Sequence, residues 1–346
     1  MADDDRVPIW LDCDPGHDDA FAILLAATHP RLNLLGISTV HGNSSLQKVT
    51  NNALSLLTAY GCPDVPVFPG ARKPFMRPAV HAPDIHGKTG IDGTDLLPTP
   101  VSAAQTKNAA EAMRDAIMAT RRGTCALVVT GTMTNAALLF AAFPETAEHI
   151  RCLSIMGGGF SVGNITPVSE FNIYCDPESA SSIFTLPALN DKILMIPLDL
   201  THQVLATPRV RTTILTDAPT PFRQMLHDLL MFFAGTYARV FGMTDGPPLH
   251  DPLAVAAVIA EELSLEFDWE EGSVEVVLAG GEMGRTLLKP VGAASENAHE
   301  GRAVIGDEVR PRGVRVRVGR GVDVARFWEV MVEAIGRADS VSPLNV

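Results

Sequence analysis

Four carboxylates fall within eight residues in the run Asp12-Cys13-Asp14-Pro15-Gly16-His17-Asp18-Asp19. One or two of them have an ordinary explanation: Asp18 as a helix N-cap, and Asp19 as a charge that complements the helix dipole. Four do not. Anions this close repel one another and raise each other's pKa unless a cation sits among them. A hard divalent ion with oxygen ligands meets that need. The flanking residues say where the run lies. Val7-Pro8-Ile9-Trp10-Leu11 is apolar and reads as a buried strand, Pro15-Gly16 as a tight turn, and residues 20–27 as a helix that opens at Asp18-Asp19. Acids at the carboxyl end of a strand, facing a helix amino terminus, occupy the place where open α/β sheets hold their ligands.

The chain has 346 residues, 46% hydrophobic and 19% charged, enough for a sizeable core. Its 27 basic and 40 acidic residues give a formal net charge of -13. That balance disfavours nucleic acid and anionic membranes, which need clustered Lys and Arg. A small neutral or cationic substrate fits better. Cys13, Cys62, Cys125, Cys152 and Cys175 are odd in number and lack C-x-x-C spacing, as expected of free thiols in a reducing compartment. The opening Met1-Ala2-Asp3-Asp4-Asp5 is acidic, unlike a secretory leader, and no uncharged apolar run reaches the roughly 18 residues of a membrane span. The expectation is a soluble cytoplasmic protein.

Strands are expected at 34–40, 65–68, 126–129, 152–156 and 193–198, the last taken as the end of the series. Helices are expected at 44–60, 107–122, from 130–135 onward, at 219–241 and at 253–259. This alternation predicts an α/β fold, a doubly wound and mostly parallel central sheet. Residues 69–100, broken by Pro and Gly around His81, Asp84, His86, Asp92 and Asp95, read as a lid. The segment 160–178, after the Gly157-Gly158-Gly159 run, reads as irregular. Strands near 274–278 and 314–318, a helix at 327–335 and a mobile insertion at 290–305 complete the tail. The whole chain, 1–346, is expected to be one domain, with a core of about 7–260 and a C-terminal β/α extension over 263–340.

The residues that could do chemistry each follow a strand end: the four acids, then Asn43, Thr130, the group Asn164, Glu170 and Asn172, and His250-Asp251 before a late helix. In a doubly wound sheet they share one rim. A rim of acids and amides without Lys or Arg suits an uncharged polyhydroxylated ligand whose diol oxygens join a metal shell. A phosphate would want a basic or N–H-rich cradle.

Taken together, the run at 12–19, His41-Gly42-Asn43, Thr130-Gly131-Thr132-Met133-Thr134-Asn135, the block 156–172 and His250-Asp251-Pro252 resemble, in order, the motifs of the calcium-dependent nucleoside hydrolases. The opening also resembles the uridine-preferring branch. The resemblance implies a Rossmann-like nucleoside hydrolase fold, a ribonucleoside substrate, Ca²⁺, and a homodimer or homotetramer. It implies Ca²⁺ held by Asp14, Asp19, Asp251 and the carbonyl of Thr130, with Asp14 also the general base. Asp18, Asn172 and Asn43 would grip the ribose diol, and Asn164 and Glu170 the 5′-hydroxyl. His250 would help protonate the leaving base, His86 would contact the nucleoside, and Asp12 would orient from behind. His17 is expected to be an exposed turn residue, and the base-selecting residues to lie in the lid and around 232–241. Two rival functions remain open on the residues alone. One is a haloacid-dehalogenase-like phosphatase, suggested by a strand followed by Asp12-x-Asp14. The other is a nucleoside or ribose sensor that binds without cleaving.

Overall fold

Ile9 and Leu11 turn to one side of the first strand and Trp10 to the other, and all three are buried. A strand buried on both faces belongs in the interior of a sheet covered by helices on each side. The computed structural model, which describes residues 6–291 and 313–346, places it there. The strands are β1 (Val7–Cys13), β2 (Leu32–Thr39), β3 (Val67–Pro69), β4 (Ala126–Val129), β5 (Cys152–Met156), β6 (Ile193–Ile196), β7 (Phe267–Val276), β8 (Thr286–Lys289) and β9 (Val316–Val322). Among the described residues they form one nine-stranded sheet in the order β3-β2-β1-β4-β5-β6-β9-β7-β8.

The helices His17–Thr28, Leu46–Ala59, Pro221–Phe241, Asp251–Val258 and Val324–Val341 share a core with Ile9, Leu11 and Val128. On the other face, Ala109–Met118, Thr134–Ala142 and Pro177–Phe184 cover Trp10, Leu127 and Leu153. The chain leaves β1 for β2 and β3, then returns to β4 on the opposite side of β1 and continues outward. Strand order therefore reverses between β1 and β4, and open α/β sheets bind ligands in the crevice at that point.

Two expectations need correction. β6 is not the end of the series: β9 pairs parallel with it (Ile193↔Val316), and β7 and β8 follow antiparallel. The C-terminal strands extend the central sheet. The four-residue β8 is too short for alternation to reveal. The segment 160–178 is not wholly irregular, because it contains the helix Phe171–Cys175 and the start of Pro177–Phe184. Their signals are caps rather than periodicity: the Glu170 carboxylate accepts from the N–H groups of Asn172 and Ile173, and Asp176 accepts from that of Ser179 with Pro177 at the first helical position. The helix Pro208–Leu215, capped by Thr207, was also hidden in a sequence of low helix propensity. Most of the 290–305 insertion lies outside the described residues.

A candidate active site with a carboxylate floor and an aromatic roof

The floor begins where β1 ends. The Gly16 N–H donates to Asp19 Oδ2 (3.0 Å), closing the turn that starts the His17–Thr28 helix. Glycine is required here by contact: a Cβ on Gly16 would lie 2.5 Å from His86 Nδ1 and 2.9 Å from Asn43 Nδ2. Asp14 is boxed in the same way, since a Cβ on Gly42 or Gly131 would fall 1.9 Å or 2.6 Å from its carboxylate oxygens. The backbone N–H of Asn43 donates to Asp14 Oδ2 (2.6 Å), and its side-chain amide reaches the Asp14 carbonyl (3.1 Å) and Asp19 Oδ2 (3.3 Å). From β4, the Thr130 hydroxyl donates to Asp19 Oδ1 (2.9 Å).

Asp18, Asp19 and Asp251 bring one carboxylate oxygen each to within 4.8 Å of one another, and all three are buried. Asp14 stands outside that threesome, yet its charge is among those that push Asp251 up. Burial pushes all four carboxyls up, and their mutual repulsion adds to it for Asp14, Asp18 and Asp251; Asp18 reaches about 7. Asp14 Oδ1 is buried without a hydrogen-bond partner. Crowded acids and an orphaned carboxylate oxygen are what a hard cation would satisfy. Asp12 sits deeper, in the sheet itself. It accepts from the Ser38 hydroxyl (2.5 Å) and the Asn135 amide (2.8 Å), and burial lifts it to about 7.

Along one wall, Glu170 is held by three backbone N–H groups, those of Asn172 (2.7 Å), Gly158 (2.9 Å) and Ile173 (3.0 Å). Asn172 donates its amide to the Thr130 carbonyl (2.8 Å), which leaves its own oxygen as an acceptor. Asn164 does the reverse: its oxygen takes the Phe171 N–H (2.8 Å), leaving its NH₂ as a donor. All three line the same cleft as Asp18, Asn43, Thr130 and Asp251.

The roof comes from the lid and the Pro221–Phe241 helix. Ala82, Ile85 and His86 line the cleft together with Phe233, Tyr237, Phe241 and His250, and the His86 ring stacks on Phe233 (5.6 Å). Residues 69–100 are ordered by a short helix, Pro83–His86, and by bonds such as His81 to the Gly42 carbonyl (2.8 Å). His250 Nε2 meets the Tyr237 hydroxyl and Nδ1 the Thr201 hydroxyl, each at 2.7 Å. Burial pushes His250 well below the ordinary histidine range and Tyr237 well above that of a phenol. His17 contradicts the expectation of an exposed turn residue: it is 0% exposed, stacked against Phe232, Phe233 and His86. A histidine between two glycine-turn residues and an acid pair gives no sign that aromatic rings from residues 86 and 232–233 will close over it.

The cleft therefore gathers Asp18, Asn43, His86, Thr130, Asn164, Glu170, Asn172, His250 and Asp251, with Asp14 and Asp19 against them and Asp12 behind. Thr201 is not singled out by the sequence as a site residue, and Phe233 and Tyr237 enter only as part of the stretch around 232–241 expected to select the base. The spacing of Phe233, Tyr237 and Phe241 at four-residue intervals could have pointed to them, had the helix not also carried core residues such as Phe222, Leu226 and Leu229. No Lys or Arg lines the cleft among the described residues. No helix of the described residues is long and apolar enough to cross a membrane.

Residues 9–329 match the family model described as inosine-uridine preferring nucleoside hydrolase. The uridine nucleosidase of Saccharomyces cerevisiae is 40% identical over 347 residues, covering 98% of this chain and 99% of the relative. A pyrimidine-specific ribonucleoside hydrolase, RihA of Shewanella woodyi, is 43% identical over 262 residues, 74% of this chain and 80% of its own length. The solved structure of a purine-preferring ribonucleoside hydrolase from Gardnerella vaginalis superposes with a TM-score of 0.80 at 28% identity, over 96% of this chain and 99% of that one.

Proposed function

The chain belongs to the inosine-uridine preferring nucleoside hydrolase family, and from that membership we propose that it hydrolyses the N-glycosidic bond of ribonucleosides to free base and ribose with Ca²⁺ as cofactor. The observation that carries the chemistry is one cleft holding buried acids at its floor, a hydroxyl–imidazole chain at its roof and, among the described residues, no lysine or arginine. Asp14, Asp19, Asp251 and the Thr130 carbonyl would hold the ion, with Asp18 beside them. When bound, Ca²⁺ supplies the charge that relieves these acids, lowers the pKa of a water and gives the ribose diol a partner.

The chain's own residues do the rest. Asp14 Oδ1, which has no hydrogen-bond donor among the described residues, is free to take the water's proton. Asp18, Asn43 and the Asn172 oxygen hold the 2′- and 3′-hydroxyls, and Asn164 and Glu170 the 5′-hydroxyl. As the C–N bond breaks, positive charge grows on the ribose ring, and fixed carboxylates around it favour that state. The departing base needs a proton. If the Thr201 hydroxyl donates to Nδ1, the shorter of its contacts, His250 would carry its hydrogen on Nε2 and donate to the Tyr237 oxygen. The Tyr237 O–H is then left to face the base and gives it the proton, the His250 Nε2–H stabilises the phenolate that remains, and solvent returns the proton once the base has left.

Uridine and cytidine are the proposed substrates of choice, on kinship with relatives named for uridine and pyrimidines. A homodimer or homotetramer, implied by the resemblance, and a cytoplasmic location, expected from the free cysteines, complete the proposal; sedimentation tests the first and fractionation the second. Reducing-sugar release from uridine, cytidine, inosine and adenosine tests the function. The pyrimidines should be cleaved faster. Equal rates on inosine would overturn the preference, and tight binding with no ribose formed would favour the sensor.

A further inference from the structure

The His17 ring lies parallel to those of Phe232 (5.1 Å, 3°) and Phe233 (5.3 Å, 5°) and stacks on His86 (5.3 Å, 24°). Packing alone would be met by a phenylalanine. The nitrogens do something more. His17 Nε2 lies 2.7 Å from the backbone carbonyl of Asp92 in the lid. A carbonyl oxygen only accepts, so Nε2 carries the hydrogen, and in a neutral ring Nδ1 is a bare lone pair. That lone pair sits 3.1 Å from His86 Nδ1. The contact is attractive only if His86 carries its own hydrogen on Nδ1. The His17 backbone N–H is 3.4 Å from the same atom, near the outer limit of hydrogen bonding, so the shorter contact sets the polarity. The Nδ1 edge of His86 is turned toward Gly16, where a Cβ would lie 2.5 Å away. Its Nε2 makes no hydrogen bond among the described residues, and the ring lines the cleft.

We propose that His17 is a positioning residue that fixes the tautomer of His86, through a chain from the Asp92 carbonyl to the cleft, so that His86 Nε2 meets the nucleoside as a hydrogen-bond acceptor. The ligand's identity rests on the hydrolase reading above; the tautomer does not. His86 thus accepts from a ribose hydroxyl or a base N–H and has no proton to give the leaving base, which leaves that task to Tyr237. Because Asp92 belongs to the lid, the tautomer is set only while the lid holds its carbonyl on His17.

The test is ¹⁵N NMR of histidine-labelled, calcium-loaded protein without nucleoside, with His86 assigned from His86→Gln. His86 should show a protonated Nδ1 and an unprotonated Nε2. His17→Phe keeps the stack but removes both bonds. It should mix the two His86 tautomers and raise KM about tenfold with kcat changed less than about threefold. His17→Asn places an acceptor oxygen where Nδ1 was and should restore the wild-type tautomer and most of the KM. His17→Gln keeps a donor for the Asp92 carbonyl but no acceptor for His86, and should behave like His17→Phe. An unprotonated His86 Nδ1 in the wild type would overturn the proposal. So would a tautomer unchanged in His17→Phe. Both readouts are taken without substrate, so they stand or fall independently of ribose release.

Discussion

The floor and the roof of this cleft are built by opposite means. Asp14, Asp18 and Asp19 come from one short turn at the end of β1, fixed by backbone N–H groups and by glycines that leave room for nothing else. His86, Tyr237 and His250 come from three separate stretches and, with His17 reaching up from the floor's turn, are held by ring stacking and a few side-chain hydrogen bonds. Rigid strand ends suit groups whose spacing must match an ion. A helix and a lid suit groups that must enclose a base and let it go. The comparison teaches that the floor should govern kcat and metal affinity, and the roof leaving-group chemistry and KM.

Breaking the floor should cost most. Asp14→Ala should lower kcat on uridine by at least about a thousandfold, since it removes a general base and a metal ligand together. Thermal unfolding of the chelated variant should be no lower than that of wild type, because a buried, mutually repelling carboxylate has gone. Wild-type-like turnover would remove Asp14 from the mechanism.

The roof should fail selectively. Tyr237→Phe keeps the ring and loses only the hydroxyl that meets His250. Turnover of uridine should fall by about a hundredfold, while p-nitrophenyl riboside, whose leaving group needs no proton, should be cleaved within about threefold of the wild-type rate. Equal losses on both substrates would show that the hydroxyl serves structure and not the leaving group.

Acid sharpens the contrast, because it acts on the floor. Burial pushes Asp18 up to about 7, so in the metal-free fold it keeps a proton that an unfolded aspartate has lost by about pH 5. This group's contribution to metal-free stability therefore falls as pH rises from about 4 to about 7. Calcium needs the anion and must expel the proton, so its binding strengthens over the same window. Calorimetry should find the calcium Kd about tenfold weaker at pH 5.5 than at pH 7.5; a flat profile would mean that the site is already ionised. The smallest effect is expected at the rim of the roof. Phe241→Ala should raise the KM for uridine about threefold to fivefold and leave the calcium Kd unchanged.

The same division explains what the sequence disclosed. The floor was legible because its residues are contiguous and of a kind, Asp-x-Asp-Pro-Gly-x-Asp-Asp, and because β1, β4 and β5 are mostly apolar runs whose ends line up on one rim. Glu170 and Asn172 were legible as polar residues after a glycine run, though not as the cap and second residue of a helix too short to show a period. Tyr237 was legible as part of the base-selecting stretch around 232–241 but not by its own role, since one helix carries both core and cleft faces with the same kinds of residue. His17 was misjudged because the rings that bury it lie about seventy and two hundred positions away in the chain. Pairing across such distances leaves no local pattern. The place of β7, β8 and β9 in the central sheet was obscured for the same reason, because strand order is set by long-range contact and not by composition.

The acid floor should work only with a divalent cation among its carboxylates. The direct measurement is ribose release from uridine by protein stripped with a chelator, before and after Ca²⁺ is returned. The expected result is a loss of at least about a hundredfold on stripping and full recovery at one calcium per chain. Undiminished turnover by protein shown by elemental analysis to hold no divalent metal would contradict it.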